Sequence, residues 1–371
     1  MVRPRTWVEI SKPAVRHNFE QLRKLIAPVP LAPVIKANAY GHGILELISC
    51  LDLRRMWGVC VANGAEAINL RDHQYRGRIL VMSSWQSDQL SELINRQVDL
   101  AVWDLNSLKL INQAAKKINK SINIHIKLDC GTTRIGFLEP DFQKLSLDLK
   151  RRHKNINIAA AFSHLANSES ANPTITSRQL ERFATLRKSL NLSDRGAHIA
   201  CTAAALRYPA SRLDMVRYGL GLYGLWPSIE IKNWVYQNIP KFNLQPVLTW
   251  YSKLLQIKRV TAGTRIGYGW TYRVKRPTTL GIIPVGYADG YRRQWSNQSW
   301  VMVAGQRAPV LGRICMNLIM VDLKWLKSPR QNQIVTLIGD GIEADRLAKI
   351  GQTINYEVVT AIHPDIPRII V

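Results

Sequence analysis

Eight short apolar or β-branched runs recur through the first two-thirds of the chain, with helix-like segments between them. They read "LAPVIK" (31–36), "WGVCVA" (57–62), "RILVM" (78–82), "VDLAV" (98–102), "INIHIKL" (122–128), "INIAAAF" (156–162), "GAHIA" (196–200) and "LDMVRYG" (213–219). The intervening "SDQLSELINRQ" (87–97), "DLNSLKLINQAAKKIN" (104–119) and "TSRQLERFATLRKSL" (176–190) carry apolar residues at helical spacing. Runs with so little alternation suit strands buried on both faces, as in a parallel sheet. Eight such pairs in about 210 residues is the count of a (β/α)8 TIM-type barrel; a doubly wound sheet is the competing arrangement. After about residue 241 helical stretches become rare. Turn residues there separate "TWYSKLLQIKRV" (249–260), "TLGIIPVGY" (279–287), "QIVTLIG" (333–339) and "IPRIIV" (366–371). The chain is therefore expected to be α/β, a barrel over 1–241 followed by a mostly β domain over 242–371. The opening "TWVEI" is a candidate strand of that second domain.

At 371 residues and 46% apolar content the chain can bury a sizeable core. No stretch approaches the ~18 uncharged apolar residues of a membrane span. The start, "MVRPRTWVEI", lacks the apolar core of a signal peptide, which predicts a cytoplasmic protein. Five cysteines, without a Cys-x-x-Cys pair, argue against a disulfide framework or a structural zinc site, and no metal is expected. A formal charge of +25 raises the question of a nucleic-acid or acidic-membrane partner. The basic residues are scattered, however, with one small run at "KRRHKN" (150–155), and no nucleic-acid-binding motif accompanies them. A generally basic surface is the expectation, without a nucleic-acid or membrane partner.

In such a barrel, chemistry collects at the C-terminal ends of the strands. Lys36 ends the first run and Lys127 the fifth; His164 follows the sixth, His198 lies within the seventh and Arg217 near the end of the eighth. Lys36, in a mainly apolar setting, is placed to lose its charge by desolvation, as lysines that form Schiff bases with carbonyls do. The plain alternative is a lysine whose stem covers apolar surface while its amine reaches solvent. The following "YGHG" favours the first reading, because small residues let backbone and a phenol approach a bound anion. In "LDMVRYGLGLYG" (213–224), Gly219, the Leu220 backbone and the hydroxyl of Thr202 are candidate donors to a phosphate.

The motifs "VIKANAYGHG", "IKLDCGTTRIG", "VRYGLGLYG", "IGYGWTY", "PVGYADGY" and "GRICMN" occur in the order seen in alanine racemases, which the chain resembles over nearly its whole length. That resemblance implies a pyridoxal 5'-phosphate enzyme of the cytoplasm that interconverts L- and D-alanine and supplies D-alanine for peptidoglycan. It implies that Lys36 holds the cofactor as an aldimine and serves as base on the D-alanine face, with Tyr268 as base on the L-alanine face. A free phenol titrates near 10, so forming phenolate at neutral pH costs about 4 kcal/mol unless a neighbour assists. His164 is the implied neighbour. Arg217 would face the pyridine nitrogen. Tyr40, Thr202, Gly219, Leu220 and Tyr356 would hold the phosphate. Arg134 and the Met316 N–H would take the substrate carboxylate. Lys127 matches a lysine that the family can carry as a carbamate beside Arg134, and Tyr287 a tyrosine at the mouth of the site. Tyr268, Tyr287 and Met316 would reach the other subunit of a homodimer.

Three departures from the family pattern stand out: Asn317 in place of Asp, Cys201-Thr202 in place of Asn-Ser, and Thr132 in place of Met. They leave the preference among alanine, serine and longer amino acids open. A broader-specificity or serine racemase is one alternative, a barrel-type decarboxylase another, and a non-catalytic pyridoxal-phosphate carrier a third. The residues following the barrel, with Tyr268 among them, weigh against the carrier.

Overall fold

Each of the eight predicted runs holds a strand in the computed structural model, which describes residues 4–150 and 154–371. Part of the basic run at 150–155 therefore lies outside the described residues. The chain divides into two units. One takes the N-terminal residues to Val15, Asn38–Cys50 and Pro246–Val371; the other takes Arg16–Ala37 and Leu51–Gln245.

The larger unit is the barrel. Strand β1 (Thr6–Ile10) lies outside it. The barrel strands are β2 (Leu31–Pro33), β3 (Val59–Asn63), β4 (Ile79–Ser84), β5 (Asp99–Val102), β6 (Ile122–Lys127), β7 (Ile156–Phe162), β8 (Gly196–His198) and β9 (Val216–Tyr218). From β3 to β8 the strands pair in sequence order, all parallel. β2 pairs with β9 in parallel, Leu31 opposite Val216. The ring closes through a Val34–Cys60 bridge on one side and the Arg217 N–H donating to Ala200 O (3.1 Å) on the other. The competing open sheet is thereby excluded. β5 is buried throughout, and Ile124, Ile126, Val61 and Val81 are fully buried. That two-sided burial is why the runs show no alternation.

The outer helices follow from local signals. Leu105–Lys117 starts at Asp104, whose carboxylate accepts the Ser107 N–H (2.6 Å), while Ser107 Oγ takes the Asp104 N–H (3.1 Å). This reciprocal cap satisfies two donors that the first turn leaves orphaned. Leu108, Ile111 and Ala115 form its buried stripe, and Lys116 and Lys117 close its negative end.

In the other unit, β1 pairs antiparallel with β10 (Leu248–Lys253) and parallel with Arg368–Ile370. These strands form the middle and one edge of a six-stranded sheet completed by Ile334–Ile338, Trp300–Val303 and Gln306–Pro309. A three-stranded sheet joins Gln256–Val260, Thr278–Ile283 and Ile319–Asp322. The stretch 249–260, read as one strand-like run, is thus two strands in two sheets. At the break the Leu254 N–H donates to Gln333 O (2.9 Å) and the Leu255 N–H to Ile282 O (2.8 Å), so adjacent residues serve different sheets. The adjacent Leu254, fully buried, and Leu255, half-buried, carry the strand-like pattern across the break and hide the crossing.

Trp250 on β10 is fully buried, donates its indole N–H to Thr6 Oγ1 (3.0 Å) and meets the edge of Tyr291. Trp250→Ala is expected to cost about 3–5 kcal/mol, read as a lowered urea midpoint for unfolding.

Candidate active site

Lys36 lies three residues beyond β2, at the C-terminal end of the barrel. It opens a single turn, Lys36–Tyr40, in which Ala37, Asn38, Ala39 and Tyr40 all adopt φ between +52° and +54°. A left-handed turn of side-chain-bearing residues costs roughly 1–2 kcal/mol per residue, so specific bonds must hold it. Glu66 does so in the barrel unit: its carboxylate accepts the Ala37 N–H (2.7 Å) and the Ala62 N–H (2.7 Å). On the other side, Asn38 Oδ1 accepts the Ile44 N–H (3.0 Å). Gly41, at φ +78°, leaves no room for a Cβ, which would sit 2.0 Å from Val359 O. Burial lowers the pKa of the half-buried Lys36 amine, with the Arg134 cation and then Arg217 adding to it against an opposing pull from Glu66.

Arg217, on β9, is 4% exposed. Its Nη1 donates to His198 Nδ1 (2.6 Å) and His198 O (3.1 Å). Its Nη2 donates to Ser163 O (2.7 Å) and Ile199 O (3.1 Å) and lies 3.4 Å from His164 Nδ1. Nε–H is left as the one N–H of this guanidinium without an acceptor among the described residues. Burial and the Arg217 charge, in that order, push His164 down to about 3, so its imidazole is neutral at ordinary pH.

The loop after β6 carries Arg134. It is shaped by Asp129, whose two carboxylate oxygens accept the N–H groups of Gly131, Thr132, Thr133 and Arg134 at 2.8–3.0 Å. Burial alone would raise the Asp129 pKa, but these four N–H groups bring it below the ordinary value. Thr132 Oγ1 donates to His164 O (2.6 Å), which ties this loop to the one after β7. Lys127, at the end of β6, is 5% exposed; burial, then Arg217, Arg134 and Lys36, hold its amine at about 7. Lys127, Asp129, Thr132, Arg134, Ser163 and His164 line one small cavity.

Thr202 begins the helix after β8, and Gly219–Leu220 opens a helical turn, Leu220–Tyr223, directly after β9. The first N–H groups of such a turn have no partners within it. Thr202 Oγ1 accepts the Gly221 N–H (3.3 Å). A Cβ at Gly221 would lie 2.5 Å from the Tyr218 ring and 2.8 Å from Thr202 Cγ2, so only glycine permits this approach. The start of a helical turn with a hydroxyl beside it suits a phosphate, and the Arg217 Nε–H suits a ring nitrogen that accepts. The donor set thus fits pyridoxal phosphate.

The remaining expected site residues belong to the β-rich unit. Tyr40 is buried, with its ring centroid 6.0 Å from that of Tyr356. Tyr268 sits on a turn between Gly267 (φ +70°) and Gly269 (φ +68°) and is 70% exposed. It is therefore no core residue; the core beside it is Ile266, Val274, Leu280, Leu311 and Met320. Tyr287 and Met316 are joined by backbone: the Tyr287 N–H donates to Cys315 O (3.0 Å) and the Ala288 N–H to Met316 O (3.0 Å). Both side chains are exposed, as is Asn317. Glu66, Ser163 and Ile199 were not singled out in the sequence, whereas His164 and His198, the other partners of Arg217, were. Glu66 carries one readable signal, since Asn63-x-x-Glu66 is a helix-cap pattern, with Asn63 Oδ1 accepting the Glu66 N–H (2.9 Å).

Comparison with known proteins gives one answer. Residues 10–227 match the model for the alanine racemase N-terminal domain and residues 247–370 that for its C-terminal domain. The alanine racemase of Methylacidiphilum infernorum is 34% identical over 98% of this chain and 92% of its own length; that of Methanococcus maripaludis is 32% identical over 100% and 99%. Among solved structures, the Clostridium difficile alanine racemase superposes with a TM-score of 0.93 at 30% identity, covering 100% of this chain and 97% of its own. That from Streptomyces lavendulae also gives 0.93, at 29% identity and coverages of 100% and 98%. No helix among the described residues is long and apolar enough to cross a membrane, and none of their His, Cys, Asp and Glu side chains cluster to hold a metal. With a strand-end lysine of lowered pKa, a buried arginine with one free N–H and both domain models matched in order, the chain belongs to the alanine racemase family.

Proposed function

We propose that this chain interconverts L- and D-alanine, the activity of its family, as a cytoplasmic homodimer that uses pyridoxal 5'-phosphate. The observation that carries the reading is the barrel rim, where an amine of lowered pKa shares its surroundings with a buried guanidinium that keeps one N–H free. Pyridoxal phosphate, when bound, supplies the electron sink that makes the substrate Cα–H acidic. Lys36 would hold it, Arg217 Nε–H would donate to its ring nitrogen, and Thr202, Gly219, Leu220, Tyr40 and Tyr356 would take its phosphate.

The chain's own groups do the rest. Arg134 pairs with the substrate carboxylate, assisted by the Met316 N–H. The Lys36 amine removes or returns the α-proton on the D-alanine face, and the Tyr268 oxygen does so on the L-alanine face. A guanidinium does not give up its proton, so Arg217 leaves the ring nitrogen unprotonated, which weakens the sink and limits side reactions. His164, neutral at pH 7, eases ionisation of the phenol as a hydrogen-bonding partner rather than as a cation. The exposure of Tyr268, Tyr287 and Met316 on this chain supports a role for them in completing the barrel site of a second copy. Lys127, with its depressed pKa, is suited to capture carbon dioxide as a carbamate whose charge would orient Arg134.

Three measurements test this reading. Purified protein loaded with pyridoxal phosphate, incubated with L-alanine in heavy water, is expected to yield α-deuterated D-alanine by proton NMR and chiral chromatography. Lys36→Ala and Tyr268→Phe should each cost at least ~10³-fold in kcat. Release of an amine would point to a decarboxylase, and absence of Cα exchange to a carrier. Mixing inactive Lys36→Ala and Tyr268→Ala chains should recover about a quarter of wild-type activity if each site is shared, since half the dimers then hold one intact site. Carbon-13 bicarbonate should give a carbamate resonance at pH 8 that is missing in Lys127→Ala. That resonance should fade as pH falls below about 7, where the amine takes up its proton and stops reacting.

A further inference from the structure

The Arg217–His198 contact is the first link of a longer buried chain. His198 Nε2 lies 2.8 Å from His125 Nδ1 on β6, and His125 Nε2 lies 3.5 Å from Asp99 Oδ2 on β5. Asp99 Oδ1 accepts from Asn123 Nδ2 (3.1 Å), and Asn123 Oδ1 accepts from Asn157 Nδ2 (2.8 Å). Asp99, His125, His198 and Arg217 are all 7% exposed or less. Phe162 walls the line, stacked on the His198 ring at 4.8 Å and edge-on to His125. Nothing in the proposed reaction uses Asp99 or His125.

The direction of every proton in this chain is dictated from one end. A guanidinium can only donate, so His198 Nδ1 must accept and the single proton of the neutral ring sits on Nε2. That N–H faces His125 Nδ1, which must then accept in turn. The His125 proton is left on Nε2, facing the Asp99 carboxylate. The sequence runs cation, imidazole, imidazole, carboxylate: the first two links are hydrogen bonds, and at the last the Asp99 carboxylate stands 3.5 Å from His125 Nε2, within ion-pair reach but without closing a hydrogen bond. Reversing either ring would set an N–H against an N–H at Arg217 or inside the histidine pair. A carboxylate at the far end favours the one orientation that works, as an aspartate does when it fixes the tautomer of a catalytic histidine.

We propose that Asp99 and His125 are positioning residues which lock His198 in the Nε2–H tautomer, and thereby hold the Arg217 guanidinium with its Nε–H fixed at the barrel mouth. The functional weight of this lock rests on the reading of Arg217 as the donor that faces the cofactor ring. Without the Asp99 carboxylate only Arg217 opposes reversal of the pair, and a reversed pair sets a His198 N–H against Arg217 Nη1 and displaces the guanidinium.

The test uses the cofactor-loaded protein labelled with nitrogen-15 in its histidine rings, with His125→Gln and His198→Gln to assign the signals. Long-range proton–nitrogen correlation is expected to show both rings as neutral Nε2–H tautomers in the wild type. Asp99→Asn keeps an acceptor and should retain both tautomers and near-wild-type kcat. Asp99→Leu should convert the His198 ring to Nδ1–H and lower kcat by about 10–100-fold in both directions with little change in KM, the range seen when a group orienting a functional histidine is lost. An Nδ1–H on either ring of the wild type overturns the proposal. So does a folded Asp99→Leu variant with unchanged tautomers and kcat. Should the wild type fail to racemise alanine, the functional reading falls, and the ring tautomers alone decide whether the lock exists.

Discussion

A guanidinium buried at the mouth of the barrel sets the chemistry around it. Arg217 cannot shed its proton to escape the cost of burial, so the fold surrounds it with acceptors: three backbone carbonyls and an imidazole nitrogen. Its fixed charge acts on four titratable neighbours at the rim. With burial leading in each case, it helps lower the pKa of Lys36, Lys127, His164 and His198. Amines that would be inert cations on a surface are thereby brought toward the neutral, nucleophilic state, and the histidines are kept as hydrogen-bonding groups. One uncompensated cation thus does for four neighbours what would otherwise need four separate arrangements.

Much of this was readable from residue order. The eight runs gave the barrel because strands buried on both faces must be apolar throughout, and Lys36, Lys127 and Arg217 stood out as charges that end such runs. What escaped reading was the polar line behind Arg217. His125 sits between isoleucines in "INIHIKL", and Asp99 directly after Val98. A single polar residue in a strand looks the same whether it faces solvent or another polar side chain across the barrel. Only closure of the ring brings β5, β6, β8 and β9 together, and no local pattern records that. Tyr268 came from the family resemblance alone, for the opposite reason. Its turn is defined by glycines at positive φ, and exposure is no signal in a tyrosine until a partner surface is considered.

The two kinds of site residue are held by different physics. At the barrel mouth, side chains such as Arg217 and Lys127 ride on strands or just past them, where packing on both faces leaves little freedom. Arg134 rides instead on a loop, and that loop is made rigid by a carboxylate gripping four successive N–H groups. Lys36 precedes a left-handed turn whose conformational cost is met by Glu66 and by the absence of a side chain at Gly41. Precision here comes from strands where they are available and from bonded loops where they are not.

The partners of strand β1 have a consequence for how the molecule is made. β1 is paired only with β10 and with Arg368–Ile370, and its Thr6 hydroxyl reaches Tyr251 O across 245 positions of sequence. On a ribosome, β1 must therefore wait, unpaired, until β10, some 245 positions later, has been synthesised. The barrel strands β3 to β8, each paired with the next in sequence, have their partners at hand far sooner, while β2 waits for β9. Order of assembly is thus written into the topology: β3 to β8 emerge with their partners, and the sheet that holds β1 and Arg368–Ile370 is the last to close.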